Sequence, residues 1–307
     1  MSISINIDKS VRSKYFHADN IAAALLILIA AAVFMPVFMS MDKITNNPDF
    51  LQLATRHRMF RENVLNHHQF PLRSAYIGGG YPTISDPEDP SLSPFVLLTL
   101  LFGEIIGLKM IAFIIFLTGL AGMYLFLRKS QEYDTFSTLY GVIAFGFSGW
   151  FVARFRGGNI NELYYFLLPL VLFLHDKFIK EGKFLFLLSV LLSSIAMDGK
   201  FLFPVIIIFF LLYSVLNDIH WEEGKLRVEV RYLKKFLLMT LCVVLLSAVK
   251  LLPSAVLFLQ KSSIFSPLVD THVSEYENML THGWDIFITR FDFYVGYIPL
   301  LFFSLSL

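Results

Sequence analysis

A succession of long apolar runs constrains the fold of this chain more than any other feature of its sequence. A helix needs about 20 mostly apolar residues to cross a bilayer. Runs of that length or somewhat shorter cover residues 20–41, 108–127, 136–152, 163–174, 184–197, 201–216 and 236–259, and another starts near Phe291. Hydrophobic residues make up 56% of the chain and charged residues only 16%, an excess that a water-soluble core does not need. The sequence therefore predicts an all-α polytopic membrane protein with about eight transmembrane helices.

Charge and cysteine content exclude several other classes of protein. The net charge of +1 argues against a nucleic-acid-binding protein, whose affinity would depend on a strong basic excess. The one cysteine, Cys242, lies within an apolar run, which excludes a disulfide framework and a cysteine-based metal site. The first apolar run has no small-residue cleavage signature, so we interpret it as a retained signal anchor.

Basic residues near the ends of the runs predict the orientation in the membrane. With the N-terminus inside, the short cytoplasmic segments hold 13 lysines and arginines, whereas the much longer opposite segments hold 10. This difference in density places the N-terminus, residues 1–19, in the cytoplasm of a plasma-membrane protein. Residues 20–307 then form one transmembrane domain, with extracytoplasmic loops at 42–107 and 260–290. Because the chain stops at Leu307 inside an apolar run, we expect a further C-terminal part.

The long first loop begins with an amphipathic pattern. Over residues 48–68, apolar side chains recur at helical spacing, and arginines such as Arg56 fill the polar positions. This pattern predicts a juxtamembrane helix along the outer membrane face, with Asp49 in its first turn. The apolar segment 92–102 is too short to cross the membrane and predicts a re-entrant or interfacial helix that ends at Gly103. Since the helix dipole stabilises an acid in a first turn, a capping role for Asp49 stays open.

Glycine and proline dominate the rest of this loop. Phe70-Pro71-Leu72-Arg73 is followed by Tyr76-Ile77-Gly78-Gly79-Gly80-Tyr81-Pro82 and by further prolines at 87, 90 and 94. Three consecutive glycines let a backbone approach a ligand closely or adopt positive φ. The repeated prolines stiffen the segment that follows, which a loop serving only as a connection would not need.

In this order the motifs resemble those of a known family. They are similar to the motifs of the bacterial YfhO-type membrane proteins. The shared features are an acid after the first apolar run, an arginine-containing amphipathic helix, a Pro-Leu-Arg step, a Gly-Gly-Tyr-Pro turn and a proline-rich run. That family belongs to the GT-C superfamily of polytopic glycosyltransferases. Phe147-Ser148-Gly149-Trp150 and Leu167-Leu168-Pro169-Leu170 match two further family motifs. One step departs from the pattern, because Phe70-Pro71-Leu72-Arg73-Ser74 replaces the family's Gly-x-x-Pro-x-Trp-Asn-Pro and has no tryptophan. The resemblance covers roughly residues 42–174.

The resemblance implies a transferase that moves a sugar from a polyprenyl-phosphate donor to a cell-surface glycan or polymer on the extracytoplasmic face. Asp49 matches the general base, which would take a proton from an acceptor hydroxyl while the sugar C1 is attacked and the lipid phosphate leaves. The donor's lipid tail stays in the bilayer, so the base must lie near the membrane surface. Arg56, Arg73 and Tyr81 lie within the matching motifs and are expected to bind substrate.

Polar residues after the third predicted span are further candidates for substrate binding. Arginine suits phosphate through its planar fork, and Arg154 and Arg156 lie directly after that span. Anchoring at the lipid headgroups is an equally good explanation of both arginines. Asn159, Asn161 and Glu162 could hydrogen-bond a sugar, or could cap the helix that follows.

Two lysines at the outer ends of later spans complete the candidate site. Lys200 lies in the short Asp198-Gly199-Lys200 connection, where a tight turn with a mutual ion pair is the alternative to a role in the site. Lys250 lies in the middle-to-outer part of the seventh predicted span, ahead of Pro253. It could face the cavity and contact phosphate.

No cofactor is assigned with certainty. The acidic cluster Asp86, Glu88 and Asp89 offers oxygen ligands that a divalent cation such as Mg²⁺ or Mn²⁺ would accept. The spacing of these acids does not match a known set of metal ligands. A solvated loop is therefore the favoured explanation of the cluster. The histidines of the loop, His57 among them, show no metal-binding pattern and are expected at the surface or the membrane interface.

Two functions of other classes stay open beside the transferase. A transporter or flippase of a lipid-linked substrate would place charged or broken helices at mid-membrane in corresponding halves. Here the charges gather at the outer ends of the spans, and Lys250 is the nearest exception. A non-catalytic membrane scaffold, a relative that has lost a C-terminal soluble domain, is the other alternative.

Overall fold

The apolar runs fold into a bundle of helices. The computed structural model describes residues 9–44, 47–74, 80, 82–86, 88–198, 202–222, 225–228 and 230–281. The helices within these residues are α1 (Lys9–Phe38), α2 (Pro48–Leu65), α3 (Val96–Phe102), α4 (Glu104–Leu125), α5 (Thr135–Gly146), α6 (Gly149–Arg156), α7 (Leu168–Glu181), α8 (Leu185–Asp198), α9 (Leu202–Asp218) and α10 (Arg231–Thr281). Shorter elements are 3₁₀ segments at Pro90–Leu92 and Ile160–Leu167, a π-helical turn at Phe126–Ser130, and the strands β1 (Ile219–Glu222) and β2 (Lys225–Val228).

Within the described residues, four helical segments are long and apolar enough to cross a membrane. They are Asp19–Phe38, Glu104–Ser130, Thr135–Arg156 and Arg231–Leu257. Leu185–Asp198 and Phe203–Asp218 are also apolar but shorter, and such helices need a thinned bilayer or neighbouring helices to cross. The long elements of the described chain are thus all helical and suited to a membrane. The count of eight spans stays a prediction, and the run that starts near Phe291 lies outside the described residues.

Helix α4 lies in the middle of the bundle, where it contacts α1, α2, α3, α5 and α7. Close approach to the following segment depends on two glycines. A Cβ on Gly119 would lie 2.6 Å from the carbonyl oxygen of Phe166, and a Cβ on Gly122 would lie 2.6 Å from the backbone nitrogen of Leu170. Small residues let apolar helices pack backbone against backbone in this way. The two contacts follow in the same order along α4 and along the segment from Phe166 to Leu170, which leads into α7. Helix α7 therefore runs parallel to α4.

Polar contacts mark the two ends of the bundle. At one end Asp19 of α1 accepts hydrogen bonds from the Tyr124 hydroxyl at 2.7 Å and from the Lys129 ammonium at 2.9 Å. At the other end Lys109 of α4 donates to the carbonyl oxygen of Lys43, just beyond α1, at 2.7 Å. Helices α1 and α4 are therefore antiparallel. We call the first end the Asp19 end, and the second, which carries α2 and α3, the α2 end.

The two helices predicted in the first loop are confirmed. Helix α2 covers Pro48–Leu65, and one of its faces is buried against the bundle through residues such as Phe50 and Phe60. Helix α3 covers Val96–Phe102 and ends at Gly103, whose positive φ of 82° is a backbone conformation that favours glycine. These short helices form the surface of the α2 end.

Two features of the fold differ from the sequence-based expectation. The strands β1 and β2 form an antiparallel hairpin, with Ile219 opposite Val228, where the sequence predicted only a cytoplasmic connection. Helix α10 continues to Thr281, so the backbone of 260–281 is helical within the segment that the sequence assigned to the second outer loop.

Candidate active site

The start of α2 presents Asp49 to solvent. The amide nitrogen of Asp49 donates to the Asn47 side-chain oxygen at 2.9 Å, so Asn47 is the side chain that caps the helix. Pro48 takes the first helical position, where its missing N–H is not needed. The Asp49 carboxylate is exposed and forms no ion pair with the residues that the structure describes. Asn47 thus provides the hydrogen-bonded cap, and Asp49 lies in the first turn, where the helix dipole favours an acid.

Asp49 lines an open polar cleft at the α2 end, with a volume of about 100 Å³. The lining residues are Asp49, Gln52, Leu53, Arg56, Glu88, Gly158, Asn159 and Asn161. A cavity of this size holds several water molecules, or part of a polar ligand that extends into solvent. We call it the polar cleft. Most of its lining side chains can donate or accept hydrogen bonds, as recognition of a polyol requires.

Arg56 is held rigidly at the side of the cleft. Its guanidinium contacts the Glu88 carboxylate at 2.8 Å and the Asp86 carboxylate at 3.3 Å, and it donates to the Glu88 carbonyl oxygen at 2.9 Å. Only 12% of its side chain is exposed, so these contacts fix the guanidinium with little freedom. The acids at 86 and 88 therefore serve as counter-ions to Arg56.

The contacts of Asp86 and Glu88 with Arg56 also concern the possible metal site at the acidic cluster. Within the described part of the chain, no group of three or more histidine, cysteine, aspartate or glutamate residues is placed to hold a metal ion. Asp89, the third acid of the cluster, is buried, and one of its carboxylate oxygens accepts from the Ser91 amide at 2.9 Å. The described contacts of the three acids are thus with protein groups, and a divalent cation stays a prediction.

The wall opposite α2 is formed by the turn between α6 and the following 3₁₀ segment. Gly158 has a φ of +79°, and a Cβ added to it would lie 2.5 Å from the Phe50 amide nitrogen and 3.0 Å from the Asn47 side-chain oxygen. Only glycine fits this approach of one backbone to the start of another helix. Gly158 thereby brings Asn159 and Asn161 to the cleft.

Arg154 and Arg156 lie in the same corner but do not line the cleft. The Arg154 guanidinium lies 3.2 Å from the Glu162 carboxylate and 5.4 Å from the centre of the Trp150 ring. These two contacts hold Arg154 between α6 and the 3₁₀ segment. Arg156 is exposed and forms no ion pair with a described residue. Of the two arginines, Arg156 is the one whose charge is available to a ligand.

A second set of polar residues lies buried beside the cleft. Lys250 of α10 is 1% exposed, and its ammonium donates to the carbonyl oxygen of Asp89 at 2.6 Å. Asp198, at the end of α8, is 3% exposed and accepts a hydrogen bond from the Tyr164 hydroxyl. We call Asp89, Tyr164, Asp198 and Lys250 the buried cluster. It ties residues 88–93 to the helices α8 and α10 of the bundle.

The structure thus brings together part of the predicted site. Asp49, Arg56 and Asn159 share the polar cleft, while Lys250 lies sealed beside it. Arg73 is exposed and lies elsewhere, with its guanidinium nitrogen 2.9 Å from where a Cβ on Gly80 would be. Tyr81 and Lys200 lie outside the described residues.

The sequence analysis missed Gln52 and Gly158 and misplaced His57. Gln52 lies three residues after Asp49 and four before Arg56, so helical spacing on α2 puts all three on one face, and this signal was available. The prediction that His57 lies at the surface or the membrane interface is wrong. His57 is buried, and its Nδ1 lies 2.9 Å from the Thr99 hydroxyl. Burial, and secondarily the charge of Arg56, lower the pKa of His57 to about 3.

Comparison with known proteins gives no match to a family, a curated protein or a solved structure. The resemblance to the YfhO-type family therefore depends on the sequence motifs alone, and the case for a function depends on the residues of the polar cleft.

Proposed function

We propose that the protein is a membrane glycosyltransferase of the GT-C type, which moves a sugar from a polyprenyl-phosphate donor to a hydroxyl of a cell-surface glycan or polymer. The observation that carries the proposal is the exposed Asp49 carboxylate in a polar cleft at one end of a bundle of apolar helices. A donor with a lipid tail in the bilayer can reach such a cleft with its sugar without leaving the membrane.

In the proposed reaction Asp49 takes the proton of the acceptor hydroxyl. The acceptor oxygen forms a bond to C1 of the sugar, and the bond from C1 to the phosphate oxygen breaks, so that the lipid phosphate leaves with the bonding electrons. A base in this role typically contributes about 10²–10⁴-fold to the rate. The exposed carboxylate supports this role, because a group already committed to an ion pair would be a weaker base.

The other lining residues divide between the sugar and the phosphate. Gln52, Asn159 and Asn161 can donate to and accept from sugar hydroxyls. The leaving phosphate needs a cation. Arg156, which is exposed and two residues before the lining Gly158, is better suited than Arg56, whose guanidinium already pairs with two carboxylates.

The proposal places the α2 end on the extracytoplasmic face. Supporting this orientation, the Asp19 end carries Arg128, Lys129, Lys177, Lys183 and Lys235 close to helix termini. Basic residues concentrate on the cytoplasmic side of membrane proteins.

The test is a transfer assay on the purified chain in proteoliposomes. Undecaprenyl-phosphate glucose, galactose and mannose are supplied separately as labelled donors with total cell-envelope glycan as acceptor, and transfer of label to glycan is measured. Asp49→Asn should lower the rate about 10²–10⁴-fold. Asp42→Asn, a change of an exposed acid just beyond α1, serves as the matched control and should leave the rate unchanged.

Three outcomes would contradict the proposal. A wild-type rate in Asp49→Asn would remove Asp49 as the base. Movement of intact donor across the bilayer without consumption would identify a transporter. A scaffold would be favoured if the protein showed neither activity with any donor, provided that a cooperative unfolding transition shows it to be folded.

A further inference from the structure

An apolar groove runs between α1 and α4 at the Asp19 end, far from the polar cleft. Its volume is about 540 Å³. The lining residues are Asp19, Asn20, Ala23, Leu26, Ile27, Leu117, Leu120, Ala121, Tyr124, Leu125 and Lys129. Ala23 and Ala121 contribute only methyl groups, and both are exposed. The groove exists because small side chains stand where leucine or isoleucine would fill the space between the two helices.

The dimensions and position of the groove suit a lipid chain. Along α1 it extends from Asp19 to Ile27, about 12 Å at the helical rise per residue. This is most of the hydrocarbon depth of one leaflet, which is about 15 Å. Both helices belong to segments that are long and apolar enough to cross a membrane. The open side of the groove therefore faces acyl chains along its length.

The polar end of the groove carries a positive charge. Asp19 pairs with Arg128 at 3.1 Å and with Lys129 at 2.9 Å, so one carboxylate is matched with two cations and the local excess is one positive charge. The Lys129 side chain is 49% exposed and lies at the mouth of the groove. A ligand with an apolar chain and an anionic head would complement both parts.

We propose that this groove binds an anionic phospholipid, with one acyl chain between α1 and α4 and the phosphate beside the Lys129 ammonium. The proposal is independent of the proposed transferase activity. Basic residues at the cytoplasmic ends of membrane helices attract anionic headgroups, and each buried methylene of an acyl chain adds to the affinity.

The acyl-chain part is tested with two leucine substitutions on neighbouring positions. The full chain is reconstituted in nanodiscs of equal phosphatidylglycerol and phosphatidylcholine, extracted into mild detergent, and bound lipid is counted by native mass spectrometry. Ala23→Leu fills the groove and should lower bound lipid about tenfold, the effect of losing roughly two buried methylenes. Ala24→Leu adds the same group at an exposed position outside the groove and should leave the count unchanged.

The headgroup part is tested with two lysines that each pair with a carboxylate at the Asp19 end. Wild-type protein should retain phosphatidylglycerol over phosphatidylcholine about fivefold, the preference expected from one lysine near an anionic headgroup. Lys129→Gln should abolish the preference for phosphatidylglycerol. Lys183→Gln removes a lysine that pairs with Glu181 and should keep that preference.

The outcomes separate the possible occupants. Equal lipid counts in Ala23→Leu and Ala24→Leu would overturn the acyl-chain site. Equal retention of both phospholipids by the wild type would overturn the anionic headgroup. A dimer in the wild type that Ala23→Leu dissociates would show that a second copy occupies the groove, and the proposal would be wrong.

Discussion

The polar cleft and the buried cluster lie at the same end of the bundle and differ in what their polar groups contact. In the cleft, Asp49 is exposed and forms no ion pair with described residues. In the cluster, Lys250 and Asp198 are almost fully buried and each is hydrogen-bonded to a protein group. Buried polar groups that are hydrogen-bonded to one another fix the geometry of the segments they join. The difference shows that Lys250, a charged residue buried within the bundle, holds neighbouring segments together, whereas the reactive candidate is the exposed Asp49.

The largest effect in this comparison is expected from Lys250→Met, which keeps side-chain length and removes the ammonium. The carbonyl of Asp89 loses its donor, and the buried carboxylates of Asp89 and Asp198 lose the cation that stabilises them. Leaving a buried acceptor without its donor typically costs about 1–3 kcal/mol. Thermal unfolding in detergent should show a correspondingly lower Tm.

A double variant separates charge from packing in that result. In Lys250→Met with Asp89→Asn, asparagine can still accept from the Ser91 amide while the buried negative charge at position 89 is gone. The double variant should be more stable than Lys250→Met alone. Lys183→Met removes an exposed lysine and should cost less than about 0.5 kcal/mol. A Tm of Lys250→Met equal to that of Lys183→Met would break the distinction between the two regions.

An intermediate effect is expected from His57, which lies on α2 but on its buried face. The pKa of His57 is about 3 in the folded protein and about 6.5 in an unfolded chain. Between these values the unfolded state binds more protons, so stability is complete above pH 6.5 and falls as the pH is lowered toward 3. At pH 5 the loss is about 2 kcal/mol.

Unfolding midpoints measured between pH 5 and pH 8 check this expectation. His57→Gln should flatten the pH dependence, because the group that must stay neutral is gone. His67→Gln, at an exposed position just beyond the same helix, should keep the wild-type slope. An unchanged slope in His57→Gln would assign the acid sensitivity to other groups.

The helices were predictable from the sequence, because apolar runs and an amphipathic pattern need only local spacing. The stop of α3 at Gly103 and the first turn of α2 at Pro48 followed from the same local rules. The β1–β2 hairpin was missed although alternation at Leu226 and Val228, after Gly224, is a strand signal. An alternation of apolar and polar residues over four positions is a weak signal beside apolar runs of about 20 residues.

The candidate site was predictable only in part, because its assembly depends on contacts far apart in sequence. Asp49 and Arg56 share a helix, so their common face followed from spacing. The approach of Gly158 to Phe50, and of Lys250 to Asp89, joins segments more than 100 residues apart, and no local pattern encodes such contacts. The burial of His57 was missed for the same reason, since its neighbour Thr99 lies on another helix.

The smallest effect on stability is expected from Asp49→Asn, and it decides whether Asp49 is a structural or a chemical residue. The Asp49 side chain forms no ion pair within the described residues, and an acid in the first turn of a helix is worth about 0.3–1 kcal/mol. Asn47→Ala removes the hydrogen-bonded cap of the same helix and should cost about 1 kcal/mol, with a range up to about 2. Asp49→Asn should therefore lower the Tm no more than Asn47→Ala while lowering the rate of sugar transfer about 10²–10⁴-fold, and Asn47→Ala should retain transfer. A Tm loss in Asp49→Asn as large as that in Lys250→Met would place Asp49 with the buried cluster, and the difference between the two regions would no longer separate structure from chemistry.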